Sequence, residues 1–592
     1  MGDSLGAGAW RSARGCEAAR RLAKPSAPRA AQQVPSPFGP LLRAWGRCQR
    51  GVRLQWRCGH CRAPDIARAR AKPFDCAPGP PRGPGHPPQK GTTMSLPRTA
   101  ANELVYTHGY YEILSPGVIA AALESRGQRA PDLQDPLCYF ELGMGFGVSL
   151  LAHAASFPHM RFFGNDFNPA HVAYARDLAR DAGLSNVEVF EDGFEELPDR
   201  DLPMMDCIVM HGVYSWVSPA LRQAIVRFIE RRLKPGGVVY VSYNTLPGWA
   251  PLLPLRELFH LHASRVADPE SGAAGQLQGA LDFIGRLAAC EGGYVQAHPA
   301  VAERLRHAQV EGPNYALHEY VGPDSHPLYF HQVAAEFEAA GLSFAAPALL
   351  AEQVDAACVP EELAALLEST PDPVLRETLR DYGLNRAFRR DLFVRGGQVL
   401  APAEQVARMR EREWLLAAPR DALPQCAALR LVGQWLGEAA CTDLLDALGE
   451  GPVRLGDLAA RPQLGGLPAQ SIHEGLLLLS SSGVVMPALP AALRATARAS
   501  VQGFNAAVLQ RGGEDGTRHL VCGASGIATE WTPAALRQIR AAQSHGGDPD
   551  AIARAVAESL GRDGVLDAAE LAESARRYLA QRAPLLRRLE VV

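Results

Sequence analysis

Short apolar runs alternate with amphipathic segments between residues 137 and 245. The runs are rich in aromatic and β-branched side chains, which is typical of buried strands, and the segments between them repeat apolar positions every three or four residues, which is typical of helices. The predicted strands are 139–142, 161–166, 187–190, 206–210 and 238–243, and the predicted helices are 148–156, 169–182 and 219–233. This alternation predicts a parallel sheet with right-handed helical crossovers.

The first predicted strand ends in a turn with glycine at alternate positions. Its sequence is Glu141-Leu-Gly143-Met-Gly145-Phe-Gly147. Glycine has no Cβ, so the backbone can take unusual dihedral angles and a ligand can lie against it. Dinucleotide folds use the different spacing G-x-G-x-x-G, and a carboxylate at Glu141 would repel a pyrophosphate but could bind a cationic group. The turn therefore favours a cationic nucleoside cofactor.

Acidic residues lie at the ends of three successive predicted strands: Glu141, Asp166 and Asp192. Asp166 comes 19 residues after Gly147, about where nucleotide-binding folds place an acid that accepts hydrogen bonds from ribose hydroxyls. Asp192 could accept from an adenine amino group, with Phe194 near the ring. Each acid could instead cap the following helix, but three of them at one sheet edge predict a cofactor site.

This order of elements resembles the class I S-adenosylmethionine (SAM) methyltransferase fold across residues 137 to 245. The resemblance rests on the glycine turn, Asp166, Asp192-Gly193, residues 206 to 211, and Leu233-Lys-Pro-Gly-Gly237. It implies that the glycines face the methionine part of SAM, that the acids hold ribose and adenine, and that His211 lies beside the transferred methyl. The residues predicted to bind SAM are Glu141, Gly143, Gly145, Gly147, Asp166, Phe167, Asp192, Gly193, Phe194 and His211.

Aromatic residues follow the fourth and fifth predicted strands. They could form a cage that orients an amine acceptor and attracts a methylated ammonium by cation–π contact, worth about 0.5–2 kcal/mol. Trp216 and Trp249 could instead pack the seam with the next domain. The candidate acceptor residues are Tyr214, Trp216, Tyr243 and Asn244. No catalytic base is predicted, and the Asn-Pro-Pro-Tyr tetrad of many DNA amino-methyltransferases is absent from the sequence.

Three tyrosines, Tyr106, Tyr110 and Tyr111, precede the first predicted strand in a largely helical segment that begins near residue 94. Tyrosines at this position often form a lid over a ligand site. Simple packing is an equal alternative, so the sequence leaves their role open.

Residues 251–400 are predicted to be mostly helical. The segments 314–320, 327–330 and 380–391, together with Tyr243-Asn-Thr-Leu-Pro-Gly-Trp249, resemble the methyltransferase regulatory domain of a group of bacterial enzymes. That group includes protein-lysine methyltransferases that modify outer-membrane proteins, so the resemblance implies a protein lysine as one candidate acceptor. His318 and Glu319 lack a third ligand at suitable spacing, so no metal site is predicted.

The remaining chain, 401–592, is predicted to form a helical C-terminal domain. Helices at 427–436, 442–448, 455–459 and 472–480, followed by the apolar residues 484–486, suggest a winged-helix-like unit. The candidate recognition helix carries no Arg or Lys, so it is poorly suited to phosphate neutralisation. We interpret the unit as a packing or substrate-docking module.

The first 93 residues are rich in Arg, Pro, Gly and Ala and show no persistent periodicity. Such a composition cannot bury a core, and the segment is predicted to be disordered or absent from the native protein, with translation beginning at Met94. Cys58-Gly-His-Cys61 has half of a zinc-site spacing, but a second well-spaced pair is missing.

The composition limits the class of protein, its cellular location and its expected partners. The 592 residues carry a formal net charge of −3, 47% hydrophobic residues and 12 mostly isolated cysteines, which indicates a globular cytoplasmic protein without a membrane span. Nucleic acid is not an expected partner, and a homodimer is left open. The sequence thus predicts a SAM-dependent methyltransferase acting on a protein or a small molecule. A non-catalytic SAM-binding regulator is the alternative.

Overall fold

The computed structural model describes residues 108–266, 272–289, 293–299, 301–304, 325–420, 423, 426–560 and 568–592. Several sequence-based expectations fall outside these ranges. They concern the segment 1–93 with its Cys58–Cys61 pair, the start at Met94, Tyr106, the motif at 314–320 and the His318-Glu319 pair.

A seven-stranded mixed sheet lies at the centre of the catalytic region. Its strands are β1 (Cys138–Leu142), β2 (Arg161–Asn165), β3 (Val187–Phe190), β4 (Met205–Met210), β5 (Leu233–Asn244), β6 (Leu342–Pro347) and β7 (Phe388–Arg395). In space they run β3-β2-β1-β4-β5-β7-β6. Strands β1 to β5 pair in parallel, and β7 lies antiparallel between β5 and β6. The predicted Rossmann-like α/β fold is confirmed.

Two of these strands come from beyond the expected domain border at residue 250. β6 and β7 come from the segment 251–400, yet they complete the same sheet because β7 pairs with β5 from Val238↔Val394 to Asn244↔Phe388. The sequence of β7, Phe-Arg-Arg-Asp-Leu-Phe-Val-Arg, hides the strand because buried charged residues interrupt its apolar alternation. The segment is otherwise largely helical.

Helices connect the strands and form most of the remaining chain. The α-helices of the described residues are α1 (Pro116–Ser125), α2 (Val148–Ser156), α3 (Pro169–Asp181), α4 (Pro219–Arg232), α5 (Leu253–Arg265), α6 (Gly272–Ala289), α7 (Gly293–Ala297), α8 (Phe330–Glu338), α9 (Asp355–Cys358), α10 (Glu361–Glu368), α11 (Pro373–Leu384), α12 (Pro402–Glu411), α13 (Ala427–Leu436), α14 (Glu438–Gly449), α15 (Leu455–Ala460), α16 (Ala469–Ser480), α17 (Ala491–Arg511), α18 (Pro533–His545), α19 (Pro549–Leu560), α20 (Ala568–Arg577) and α21 (Ala583–Arg588).

Helix α3 shows how local sequence sets these elements. Asn168 caps it, accepting a hydrogen bond from the Ala170 amide at 2.9 Å, and a proline occupies its first position. Both features favour a helix start. Val172, Ala175 and Leu178 are buried on one face, as their spacing predicts. Burying each of the two larger side chains contributes about 1.5–3 kcal/mol.

One large hydrophobic core lies on the face of the sheet that α4 and α8 cover. It joins side chains from β1, β4, β5 and β7 to those of the two helices, including Phe140, Phe228, Phe337 and Phe393. Strand alternation sends every second residue to this core and the residues between them to the opposite face. Along β5 and β7, one face of the sheet therefore packs into this core, and the residues between lie on the opposite face.

A buried ion cluster ties the segment 251–400 to strand β5. The guanidinium of Arg389, which is fully buried, donates to Asp391 at 2.7 Å, to Asp381 at 2.7 Å and to Glu377 at 3.1 Å. The Tyr243 hydroxyl of β5 donates to the same Asp391 carboxylate at 2.7 Å. Truncating one partner of such a buried cluster is costly because the remaining charges lose their compensation.

The C-terminal region combines helices with two small antiparallel sheets. The first contains β8 (Glu413–Leu416), β9 (Val453–Arg454) and β10 (Val485–Pro487), and the second is the hairpin of β11 (His519–Cys522) and β12 (Ile527–Glu530). Helix α16, the candidate recognition helix, buries most of its residues. The winged-helix interpretation stays a prediction. No helix in the described part of the chain combines the length and apolarity that a membrane span requires.

Candidate active site

The glycine turn after β1 has the backbone geometry that only glycine accommodates easily. Gly143, Gly145 and Gly147 all have positive φ angles, of 66°, 55° and 71°. A Cβ at Gly143 would lie 2.8 Å from a methyl of Val213 and 3.6 Å from the ring of Phe194. The turn is thus close to the loops that follow β3 and β4, and it leaves bare backbone at the carboxyl edge of the sheet.

Glu141 lies beneath this turn and is almost fully buried. Burial raises its pKa to about 8, so the side chain is protonated at neutral pH. Its Oε2 atom has no hydrogen-bond partner among the described residues. The sequence suggested a carboxylate that binds a cation, whereas these surroundings make Glu141 a neutral acid. An unpaired buried oxygen next to a bare turn is what a polar ligand can satisfy.

Asp166 holds the glycine turn in place. Its Oδ2 accepts from the Gly145 amide at 3.0 Å, and its Oδ1 accepts from the Asn168 amide at 2.9 Å and lies 3.1 Å from Nδ1 of His171. Each carboxylate oxygen can accept two hydrogen bonds, so Oδ2 retains capacity for a ribose hydroxyl. Ribose binding by Asp166 stays a prediction, and the sequence did not indicate that this residue also fixes the turn.

The loop after β3 brings Asp192, Gly193 and Phe194 to the same edge. Asp192 pairs with Nε of Arg200 at 2.5 Å, and its carbonyl accepts from the Asn165 side chain at 2.9 Å. Phe194 packs against the central core. Phe167, after β2, has 58% of its surface exposed. These residues lie where the sequence placed them, and their part in adenine binding stays a prediction.

His211 follows β4 and faces away from the central core. Its Nδ1 is hydrogen-bonded to the Tyr240 hydroxyl at 2.8 Å and lies 3.3 Å from the Ser242 hydroxyl. Burial, with a smaller effect of the positive charge of Arg390, lowers the pKa of His211 to about 3, so the ring is neutral. The ring of Tyr111 lies against it with centroids 3.9 Å apart and the ring planes tilted by 31°, and Phe388 meets it edge-on at 6.1 Å. We call Tyr111, His211 and Phe388 the aromatic wall.

Two of the predicted acceptor residues lie in the core, and their part in acceptor binding stays a prediction. Tyr214 and Tyr243 are fully buried in the central core, and their hydroxyls donate to Glu336 and Asp391. Tyr243 alternates along β5 with residues of the other face, so it cannot share the surface on which His211 lies.

The other two acceptor candidates stay predictions. Trp216 is half-buried. Asn244 is buried, and its side-chain nitrogen has no partner among the described residues.

The segment before α1 covers the glycine turn. His108 stacks on Phe146 of the turn with centroids 3.8 Å apart, and the Tyr111 amide donates to Ser149 at 2.9 Å. Tyr110 accepts from the Ala528 amide of the distant hairpin at 2.9 Å. The sequence left open whether the tyrosines upstream of β1 cover a ligand site or simply pack, and it did not indicate that β11 and β12 contact this segment.

A parallel sheet in this strand order, with a glycine turn after β1 and acids after β2 and β3, defines a class I SAM-dependent methyltransferase. Two family models match the chain: a methyltransferase domain over residues 140–237 and a predicted methyltransferase regulatory domain over residues 312–395. The described residues contain no group of three or more His, Cys, Asp or Glu side chains suited to hold a metal ion.

Relatives extend the match beyond these two segments. An uncharacterized protein of Synechocystis sp. is 36% identical over 406 residues, covering 69% of this chain and 80% of its own. A tRNA (guanine-N(7)-)-methyltransferase of Chromohalobacter salexigens is 28% identical over 180 residues, covering 28% of this chain and 70% of its own. The structure of PKMT2 from Rickettsia typhi in complex with AdoHcy shares the fold, with a TM-score of 0.61 and 20% identity, over 82% of this chain and 99% of its own.

The chain therefore belongs to the family of SAM-dependent methyltransferases in which a regulatory domain follows the methyltransferase domain, and its cofactor is SAM.

Proposed function

We propose that this methyltransferase acts on an amine, with the lysine side chain of a protein as the acceptor. A small-molecule amine is the alternative. The observation that carries the proposal is the aromatic wall, which places neutral rings at the carboxyl end of β4. Aromatic faces attract methylated ammonium groups and provide a desolvating surface for a flexible side chain.

The same proposal assigns the cofactor residues. The glycine turn and Glu141 would contact the methionine part of SAM, Asp166 the ribose, and Asp192 with Gly193, Phe194 and Phe167 the adenine. When bound, SAM supplies a methyl group whose bond to sulfur breaks as a neutral acceptor nitrogen forms the new N–C bond. The residues of the chain align the two partners and exclude water.

The acceptor amine must be neutral to react. Deprotonating a lysine with the ordinary pKa of about 10.4 at pH 7 costs about 4.6 kcal/mol. His211 is a poor base for this purpose, because burial holds its pKa at about 3. The site therefore has to disfavour the ammonium form through its surroundings, and a desolvating aromatic surface does so.

Labelling with radioactive SAM tests the proposal. The purified protein is incubated with labelled SAM and a cell lysate, and the labelled fraction is hydrolysed to identify the methylated residue. Methyl-lysine in protein supports the proposal. Label in small amines favours the alternative, and label in RNA or on oxygen contradicts both.

A pair of tyrosine variants links the activity to the aromatic wall. Tyr111→Ala removes one ring of the wall and should slow labelling. Tyr382→Ala removes a ring on α11 that is 55% exposed, so it should label at the rate of the unmodified protein. Equal rates for the two variants would argue against the aromatic wall as the acceptor surface.

A further inference from the structure

Strand β7 carries two successive arginines with opposite surroundings. Arg389 points into the central core, where three carboxylates neutralise it. Arg390 points to the other face, because neighbouring strand residues alternate. It pairs across the sheet with Ser242, whose hydroxyl accepts from the Gly212 amide at 2.8 Å and lies 3.3 Å from Nδ1 of His211. The register therefore brings Arg390 to the edge where His211 lies.

The side chain of Arg390 extends along the aromatic wall. Its guanidinium lies over the Phe388 ring, 4.7 Å from the centroid, and that ring meets His211 at 6.1 Å. Arg390 is half-buried. Among the residues that the structure describes, no carboxylate lies within ion-pair distance of Arg390, in contrast to Arg389. Its charge is also felt at His211, where it adds to burial in lowering the pKa.

Three titratable groups on this side of the sheet, Glu141, Tyr240 and His211, are neutral. Burial raises the pKa of Glu141 to about 8 and keeps the Tyr240 hydroxyl protonated by raising its pKa. His211 is neutral. Glu112 follows Tyr111 in the chain and is exposed to solvent. The guanidinium of Arg390 is thus a permanent charge beside the Phe388 and His211 rings, whereas the carboxylates of Asp166 and Asp192 lie after β2 and β3.

We propose that Arg390, although carried by the regulatory segment, is an active-site residue whose positive charge repels a protonated acceptor and so admits amines in their neutral form. This inference rests on the proposed amine acceptor. It assigns to the regulatory segment a direct part in selecting the protonation state of the substrate.

The size of the effect follows from the distances. The guanidinium lies 4.7 Å from the centre of the Phe388 ring, and that centre lies 6.1 Å from the centre of the His211 ring. The distance from the guanidinium to His211 therefore cannot exceed the sum of these two distances. Two like charges about 10 Å apart, at the effective dielectric constant of about 20 typical of protein sites, shift a pKa by roughly one unit. An amine bound at His211 should therefore have its pKa lowered by about one unit by Arg390.

Sinefungin tests the inference without an identified acceptor. In this SAM analogue a carbon that bears a primary amine replaces the methylated sulfur, so the amine occupies the position of the transferred methyl. Calorimetry at pH 7 compares sinefungin with S-adenosylhomocysteine, which carries no charged group at this position. In Arg390→Gln we expect sinefungin to bind about tenfold more tightly, because the bound ammonium is no longer repelled, while the affinity for S-adenosylhomocysteine stays within twofold.

Two further variants complete the comparison. Arg390→Lys retains the charge and should bind sinefungin as the unmodified protein does. Arg410→Gln removes an exposed arginine on α12 and should change neither affinity. Unchanged sinefungin binding in Arg390→Gln would overturn the inference. A joint loss of affinity for both ligands would also overturn it, since Arg390 would then bind the cofactor itself.

The result is separable from the labelling experiment. If the labelled product is not an amine but the sinefungin affinity still rises in Arg390→Gln, the proposed acceptor is wrong and the position of Arg390 is supported. If the product is methyl-lysine and sinefungin binding is unaffected, the acceptor stands and the role of Arg390 is refuted.

Discussion

Asp166→Asn replaces one carboxylate oxygen with an amino group while keeping the shape of the side chain. In the structure both oxygens accept hydrogen bonds, one from the Gly145 amide and the other from the Asn168 amide and the His171 ring. A carboxamide has a single acceptor oxygen. Its amino group must therefore face another donor on one side, and the contact with Gly145 becomes a repulsion between two donors.

The expected loss can be estimated from these contacts. Asp166 is only 7% exposed, so solvent screens the lost hydrogen bond little. Losing a charged acceptor and leaving a buried donor unpaired costs about 1–3 kcal/mol. Because the broken contact fixes the glycine turn, about 2 kcal/mol should appear in cofactor binding, which corresponds to roughly 30-fold weaker affinity.

Calorimetry with S-adenosylhomocysteine measures this loss. The matched control is Asp177→Asn on α3, whose side chain is 55% exposed and pairs with Arg180 at 2.8 Å. The control should keep the affinity within twofold, since surface ion pairs contribute little. If Asp166→Asn also kept its affinity within twofold, Asp166 would neither fix the turn nor bind the ribose, and the assignment of the site would have to be abandoned.

Three further outcomes are expected. Arg389→Met should lower the free energy of unfolding by about 3–5 kcal/mol in urea, because buried Asp391 loses its ion-pair partner and, among the described residues, Glu377 and Asp381 keep only Arg380 and Arg386. A loss below about 1 kcal/mol would contradict the cluster. As the pH rises from about 4.5 to 8, the free energy of unfolding of Glu141→Gln should increase relative to that of the unmodified protein by about 1.4 kcal/mol per pH unit. The reason is that Glu141 keeps its proton in the folded chain over this range and releases it in the unfolded chain. Curves of unfolding free energy against pH that run parallel for the two proteins would contradict this. Gly143→Ala should weaken binding of S-adenosylhomocysteine at least tenfold, roughly the effect of 1.4 kcal/mol, because its Cβ would meet Val213 at 2.8 Å. Gly236→Ala, with a similar positive φ and open space around it, should only lose stability, and equal binding by both variants would rule out the steric argument.

The parallel half of the fold could be predicted because its signals are local. Strands β1 to β5 are visible in the sequence as short apolar runs. The turn from Gly143 to Gly147 needs residues without a Cβ at fixed positions, so it is visible as regularly spaced glycines. Strand β7 escaped prediction because its charged residues interrupt the pattern that identifies a buried strand. Arg389 is tolerated there only because Glu377, Asp381 and Asp391 surround it.

The candidate site likewise contains residues whose position the sequence predicted and residues whose position depends on tertiary structure. Glu141, Asp166, Asp192 and His211 follow strands whose carboxyl ends meet at one edge, so their proximity follows from topology alone. Tyr214 and Tyr243 lie in the core instead of on the side of His211, which the sequence did not indicate. For Tyr243 the reason is that the face of a strand residue depends on register, and a shift of one residue exchanges the two faces.

The sequence by itself determined the class of the protein, since apolar periodicity, glycine positions and acids at strand ends are properties of short segments. Only the tertiary structure decided which charges are neutralised and what covers the site. The Tyr110 hydroxyl meets Ala528 across 418 residues of chain, and Arg389 and Arg390 differ only in what lies on each face of β7. Such contacts depend on the packing of distant segments, which local sequence does not record.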